Sequence, residues 1–408
     1  MNFLKISAGA LLFTAVAFPA VADDKISDKK DKNLKLEWIP VPVLKSGDGK
    51  FQIKLRGRAL LDHAWVNDDD NSINLNATEF RSARLGIDSQ YGKRFSFRFV
   101  VDFARKRVTY RDIYIQYKGA VTFRVGHIKW ATPMENTSSL RFIPFMERSG
   151  FANAFGFGRQ FGALITKSVG NGMIQVGIGQ GGFATKGSIS TGFKFAARVT
   201  QALPIEGGNI HLGTSFTYME PGDDQGKFFY RARPLQHLAP RFLNTNQIAD
   251  SQTFFGLEAG VFKGPFNLVG ELGFLKADLV TPMQGQSDPT FWGGHVTVGY
   301  FLTGEDSPYN PKNGTYIRPK VKNPVFKGGS GAIQVIARYD YLDLVDNGIF
   351  GGIKKTFVVG INWWMGKNVK MVFNYSHSDI SQAFLVAING ADGANKINAF
   401  GVRTQIDW

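Results

Sequence analysis

The chain has 408 residues, 43% hydrophobic and 20% charged, with 47 glycines, 36 phenylalanines, no cysteine and a formal net charge of +15. This aromatic and glycine usage excludes a disordered chain and is foreign to a helical enzyme, while the missing cysteine excludes a disulfide scaffold, a thiol catalyst and a Cys-built zinc site. Beyond the N-terminus no apolar run reaches about 18 residues, so a helical membrane protein is excluded as well.

Met1 to Lys5 form a short positive start, Ile6 to Phe18 an apolar stretch and Ala20-Val21-Ala22 a small-residue cleavage site, the pattern of a secretory signal peptide over residues 1–22. The apolar stretch is too short to span about 30 Å of hydrocarbon as an anchor. Cleavage after Ala22 removes Lys5 and no acid, so the mature chain of 386 residues keeps +14 of the +15. Export without cysteine points to the periplasm or outer membrane of a Gram-negative bacterium. Residues 23–49 are charge-mixed and poor in aromatics, and read as a flexible periplasmic leader. From residue 50 to 408 the texture is unchanged, which argues for one domain.

That texture is an alternation of period two. Phe51, Ile53, Leu55, Gly57, Ala59 and Leu61 share one face, and Gln52, Lys54, Arg56, Arg58, Leu60 and Asp62 the other, a strand signal. It recurs where Phe95, Phe97, Phe99, Val101 and Phe103 oppose Arg94, Ser96, Arg98, Val100 and Asp102, and again near Lys194, Ile210, Phe255, Phe266, Trp292, Ile333, Phe357, Val369 and Phe400. Short clusters such as Tyr91-Gly92-Lys93, Gly170-Asn171-Gly172 and Lys263-Gly264-Pro265 punctuate the segments as hairpin turns. Longer connections are expected at Asn67 to Thr78, Trp130 to Phe157, Met219 to Ser251, Thr303 to Gly329 and Ser378 to Asn395, all at the opposite end from the turns. Sixteen or seventeen segments qualify, Phe228 to Arg233 being the weakest, and bacterial barrels take an even number. The expected fold is therefore all-β: a 16-stranded antiparallel transmembrane β-barrel with an inward-folded constriction loop.

A soluble sandwich would produce the same alternation with the phenylalanines inside. The export signal and the aromatic strand ends Trp65, Tyr117, Tyr218, Tyr300, Trp363, Trp364 and Tyr375 favour outer-membrane lipid around the apolar face. The basic face then lines the lumen. Lys54, Arg56 and Arg58 point the same way at intervals of about 6.7 Å, and Arg84, Arg98, Arg124, Arg198, Arg338 and Arg403 hold matching positions on other segments. At an effective dielectric of 20, each cation attracts a monovalent anion at 4 Å by about 4 kcal/mol and repels a cation equally. Arginine's planar fork also matches two oxygens of a phosphate or carboxylate. The segment Trp130 to Phe157, without clean alternation and with Pro133 and Pro144, is the expected constriction, with Lys129, Arg141 and Arg148 as filter charges and Glu135 and Glu147 as their partners.

These residues carry a resemblance. Phe145-Met146-Glu147-Arg148, then Gly158-Arg159-Gln160-Phe161-Gly162, resembles the phosphate-selective porin O and P family, and Arg81-Ser82-Ala83-Arg84-Leu85-Gly86, Arg124-Val125-Gly126-His127-Ile128-Lys129, Arg231-Ala232-Arg233-Pro234, Asn362-Trp363-Trp364 and Arg403-Thr404-Gln405 agree in order. The resemblance implies a homotrimer whose protomers each conduct inorganic phosphate or polyphosphate-like anions, with Lys129, Arg141 and Arg148 at the constriction, Arg159 on the anion pathway and Arg231 and Arg233 beside the pore wall. The family pattern runs Gln-Phe-Lys and then a Pro-Phe pair where this chain has His127-Ile128-Lys129 and Ala131-Thr132-Pro133-Met134, so the resemblance carries anion preference further than phosphate specificity.

Other chemistries find less support. A channel for carboxylates or acidic sugars would use the same cations. His377-Ser378-Asp379 invites a hydrolase at the barrel rim, but adjacent strand residues point to opposite faces and cannot close a triad among themselves. No cofactor, no metal set among the scattered histidines and no nucleic-acid partner is expected.

Overall fold

The computed structural model describes residues 35–38, 41–69, 72–181, 190–223 and 226–408; the expected signal peptide lies outside them. Sixteen antiparallel strands form the wall: β1 (Phe51–Asp68), β2 (Asn74–Tyr91), β3 (Phe95–Asp102), β4 (Thr109–Lys118), β5 (Thr122–Ile128), β6 (Gln160–Val169), β7 (Gly172–Gly179) and β8 (Phe193–Ile205), followed by β9 (Gly208–Glu220), β10 (Ala249–Lys263), β11 (Phe266–Leu279), β12 (Thr290–Phe301), β13 (Ala332–Asp346), β14 (Ile349–Trp364), β15 (Val369–Ser381) and β16 (Asn395–Asp407). Each pairs with its neighbour in sequence, and β16 pairs with β1 from Ile397↔Asp68 to Asp407↔Arg58, closing the barrel. At this seam Trp408 lies over Gly57, where a Cβ would fall 2.1 Å from the indole ring. Only glycine leaves room for that ring.

The faces divide as the alternation predicts. Leu55, Phe95, Phe99, Ile115, Val125, Leu212, Leu257, Val296 and Phe400 stand exposed on the outer wall. Trp65, Tyr300 and Tyr375 are exposed too, as an aromatic belt requires, whereas Trp364 points inward and is buried against Phe301 and Ala332. His377 and Asp379 face out and Ser378 faces in, fully buried, so these three side chains diverge.

Three expectations are corrected and one doubt is resolved. Strands β1 and β2 run to Asp68 and from Asn74, which leaves a short loop where a long one was expected. Lys35–Trp38 and Pro42–Lys45 form a hairpin that pairs with the start of β1, so the leader expected over 23–49 carries structure in that part. The doubtful segment at 228–233 adds no wall strand, in line with the count of sixteen and the long connection expected from Met219 to Ser251; Arg231–Ala232 pairs with Leu243–Asn244 inside that loop. Most consequential is segment 302–331. It follows an even-numbered strand and so sits at the end of the barrel with the short turns, where it enters the lumen as a plug built on the pairing of Tyr309–Asn310 with Thr315–Tyr316.

The interior is filled on one side. Inward positions at the loop end of β10 to β16 are apolar: Phe254, Leu275, Phe291, Leu342, Ile380 and Ile397 pack with Phe151, Phe155 and Phe157 of segment 129–159 and with Tyr230, Phe242 and Leu243 of segment 221–248. A second cluster joins Leu60, Phe262 and Val269 of the wall to Met134, Leu140 and Ile143 of segment 129–159 and to Tyr309 and Tyr316 of the plug. Burying side chains of this size stabilises each by roughly 1.5–3 kcal/mol, enough to hold loops in a lumen otherwise open to water.

Candidate functional site

What the loops leave open is a cavity of about 480 Å³ against β1 to β7. Its cations are Arg56, Arg58, Arg81, Arg84, Arg98, Arg111, Arg124, Lys129, Arg141, Arg148 and Arg159, and among the described residues its only lining carboxylate is Asp112. Nine of these eleven were expected from the alternation and the motifs. The other two, Arg81 and Arg111, are delivered by bulges. The register slips between Leu60↔Ser82 and Leu61↔Phe80, and again between Phe99↔Ile113 and Val101↔Tyr110. Each slip inserts one extra residue, so Arg81 and Ser82 both face in, as do Arg111 and Asp112. A bulge locally suspends the inside–outside rule and re-aims a side chain, and a strict period of two misses it.

Five carboxylates hold seven of the cations as charge-assisted forks. Asp88 accepts from Arg56 at 3.0 Å and Arg98 at 2.6 Å. Asp102 accepts from Arg84 at 2.7 Å and Arg111 at 3.2 Å. Arg159 clasps Asp112 through two bonds of 2.9 and 3.1 Å, and Arg81 clasps Glu147 at 2.6 and 2.9 Å. Arg141 donates to Asp407 at 2.6 Å, an acid it shares with Arg318 of the plug. Burial pushes the Glu147 carboxyl up, but the adjoining Arg81 outweighs it and holds the group well below the usual carboxylate range.

The remaining four cations have no carboxylate within 4 Å among the described residues. Arg58 donates to the Ser82 hydroxyl at 3.0 Å. Arg124 donates to the Gln116 side-chain carbonyl at 2.6 and 3.1 Å. The Lys129 ammonium donates to the carbonyls of Thr137 at 3.2 Å and Ser138 at 2.8 Å, and Arg148 to those of Glu135 at 3.1 Å and Ser138 at 2.9 Å. A carbonyl orients a cation without cancelling its charge. Burial pushes the Arg148 guanidinium down to about 10 and, with the charges of Arg148 and Arg159, the Lys129 ammonium well below its ordinary value.

The other expected residues lie elsewhere. Lys54 shares the face of Arg56 but sits exposed nearer the turn end, outside this cavity. Arg231 and Arg233 line a recess of about 40 Å³ with Arg241, His237 and Glu147. Arg198, Arg338 and Arg403 point inward as expected yet are not exposed rungs. They are sealed in ion pairs, Arg198 with Glu258 at 2.7 Å, Arg338 with Glu135, and Arg403 with Asp62 at 2.6 Å and Glu147 at 3.3 Å. Glu135 and Glu147 were expected to pair with the loop cations and instead serve Arg338, Arg81 and Arg403. Glu135, Glu271 and His295 come close enough to suggest a metal set, but every carboxylate oxygen there already has a partner: Arg338 and the Ser149 amide on Glu135, the Glu135 amide and His295 on Glu271. The trio is a clamp holding segment 129–159 to the far wall.

The family described as phosphate-selective porin O and P matches residues 53–408. A protein of Caulobacter vibrioides is 26% identical over 391 residues, covering 92% of this chain and 77% of its own. Among solved structures, the outer-membrane-expressed OmpT of Vibrio cholerae aligns with a TM-score of 0.56 at 12% identity over 90% of this chain and 100% of its own. An anion-selective porin from Comamonas acidovorans aligns at 0.55 and 13% identity over 88% and 100%, and the outer membrane channel DcaP of Acinetobacter baumannii at 0.54 and 14% over 89% and 99%. At such identities the likeness speaks to the fold.

Proposed function

The chain belongs to the phosphate-selective porin O and P family, and from that premise we propose that it is an anion-selective outer-membrane porin that passes phosphate or related oxyanions through the cation-lined half of its lumen. The observation that carries this reading is the imbalance of the cavity: eleven cations line it, and four of them meet only neutral acceptors. Uncompensated guanidinium and ammonium groups in series attract an anion by several kcal/mol each at contact, and neighbouring sites of similar strength let it move on rather than stay. The forks of Arg58, Arg124 and Arg148 suit two oxygens of one phosphate. The reading extends to a passive conduit without catalysis, to a homotrimer of such conduits and to export by cleavage after Ala22.

Purified protein in a planar bilayer under a potassium chloride gradient tests it. The expected reversal potential is that of an anion-selective pore, and added phosphate should lower the chloride current at concentrations where acetate or glucuronate does not. Cation selectivity would overturn the channel reading. Equal block by the carboxylates would leave an anion porin without phosphate preference.

A further inference from the structure

Lys129 and Arg148 share one acceptor. The Ser138 carbonyl accepts from both, at 2.8 and 2.9 Å, and Ser138 is itself buried. Its hydroxyl oxygen accepts the backbone N–H of Tyr316 at 3.0 Å, and Tyr316 belongs to the plug that enters from the turn end. On the cavity side, the Lys129 ammonium has three donors, two of them engaged by carbonyls. The third is left for a passing anion.

The plug is fastened from behind. Buried Arg198 spends two N–H groups on Glu258 and donates two more to the carbonyls of Asn313 at 3.1 Å and Gly314 at 2.8 Å, the tip of the plug hairpin. Gly314 has φ +54, and a Cβ there would fall 2.7 Å from His211 and 3.0 Å from Thr200. His211 also bonds the Tyr309 hydroxyl at 2.8 Å, and Tyr309 stacks on Phe262 with ring centroids 4.2 Å apart. Lower in the plug, Arg318 shares Asp407 with Arg141, and the Phe142 ring lies against both guanidiniums at 4.8 and 5.2 Å. Wall, plug and segment 129–159 are thus joined by a continuous series of hydrogen bonds, ion pairs and ring contacts.

We infer that the turn-end plug is a selectivity-positioning element: through Tyr316 and Ser138 it fixes the head groups of Lys129 and Arg148, and through Arg318 it fixes Arg141, although its hairpin tip at Asn313-Gly314 does not line the cavity. This rests on the anion-channel reading and adds to it a structural cause for filter geometry that lies on the opposite side of the barrel. Tyr316, Ser138 and Gly314 are positioning residues.

Reversal potentials of the full-length wild type, Ser138→Ala and Gly314→Ala test the inference, alongside the temperature at which the folded barrel loses its compact electrophoretic migration. Ser138→Ala removes the hydroxyl through which segment 129–159 accepts the plug's Tyr316 N–H. The expected result is a fall of about fivefold in the chloride-to-potassium permeability ratio, the size of an ordinary hydrogen-bond contribution, in a barrel that still folds but unfolds at a somewhat lower temperature. Gly314→Ala should shift the ratio in the same direction from a residue remote from the ion path. A folded Ser138→Ala barrel with the wild-type ratio overturns the inference, as does a folded Gly314→Ala barrel that loses thermal stability yet keeps that ratio. Should Gly314→Ala not fold, Ser138→Ala decides alone. A wild type without anion preference would fail the channel reading itself, and the wild-type trace shows that independently of either variant.

Discussion

The two halves of the lumen use the same residue type to opposite ends. Against β8 to β16, the inward arginines are matched and covered, Arg198 by Glu258, Arg338 by Glu135 and Arg403 by Asp62, as is Lys354 by Asp340, while the buried Lys194 and Lys370 donate to the Gln160 side chain and the Ile143 carbonyl. Against β1 to β7, cations outnumber carboxylates and face water. An inward arginine is therefore not a rung by position alone. It becomes one where no loop covers it and no acid cancels it; elsewhere it is a rivet between wall and loop.

The largest expected effect breaks this contrast from the closed side. Arg338→Ala strands the buried Glu135 carboxylate, and removing one partner of such a pair costs about 3–5 kcal/mol; the unfolding transition of the barrel should fall accordingly, while Arg124→Ala in the open half should leave it almost unmoved. A similar loss from Arg124→Ala would erase the distinction between rivet and rung. Next, Lys129→Glu or Arg148→Glu should cut anion preference about tenfold or more, since reversing a charge within contact of the ion changes its energy by several kcal/mol before screening, whereas Lys355→Glu on the outer wall should change it little. Equal responses in the reversal potential would remove segment 129–159 from the filter.

A smaller effect concerns pH. The ammonium of Lys129 is shifted down by burial and by Arg148 and Arg159, so it is charged at low pH and loses its proton earlier than an ordinary lysine as pH rises. Anion preference should therefore weaken from neutral into alkaline solution, and Lys129→Arg, which stays protonated, should flatten the curve. An unchanged slope in that variant would assign the titration elsewhere.

Much of the wall was legible beforehand, because period two is a local property: the faces of Phe95 to Asp102 follow from adjacent letters. The count of sixteen and the inward path of segment 129–159 followed from the same rhythm and its interruption. What escaped is non-local. Nothing near Arg338 announces Glu135, 203 positions away, and nothing near Thr303 to Gly329 tells which end of the barrel it occupies until every intervening strand is counted. The inward Phe254 and Phe291 are illegible in another way, since an apolar lumen face makes sense only once another loop's rings are known to lie against it.

The two bulges have a consequence for how such a conduit is tuned. A regular strand can offer its interior one side chain per about 6.7 Å, whatever the residue chosen. One inserted residue at Arg81, and another beside Arg111, doubles that supply locally while strand number and closure stay as they are. Charge density along the ion path can thus be raised by insertion where substitution has run out of positions, and deleting either extra residue would retune transport without touching the architecture.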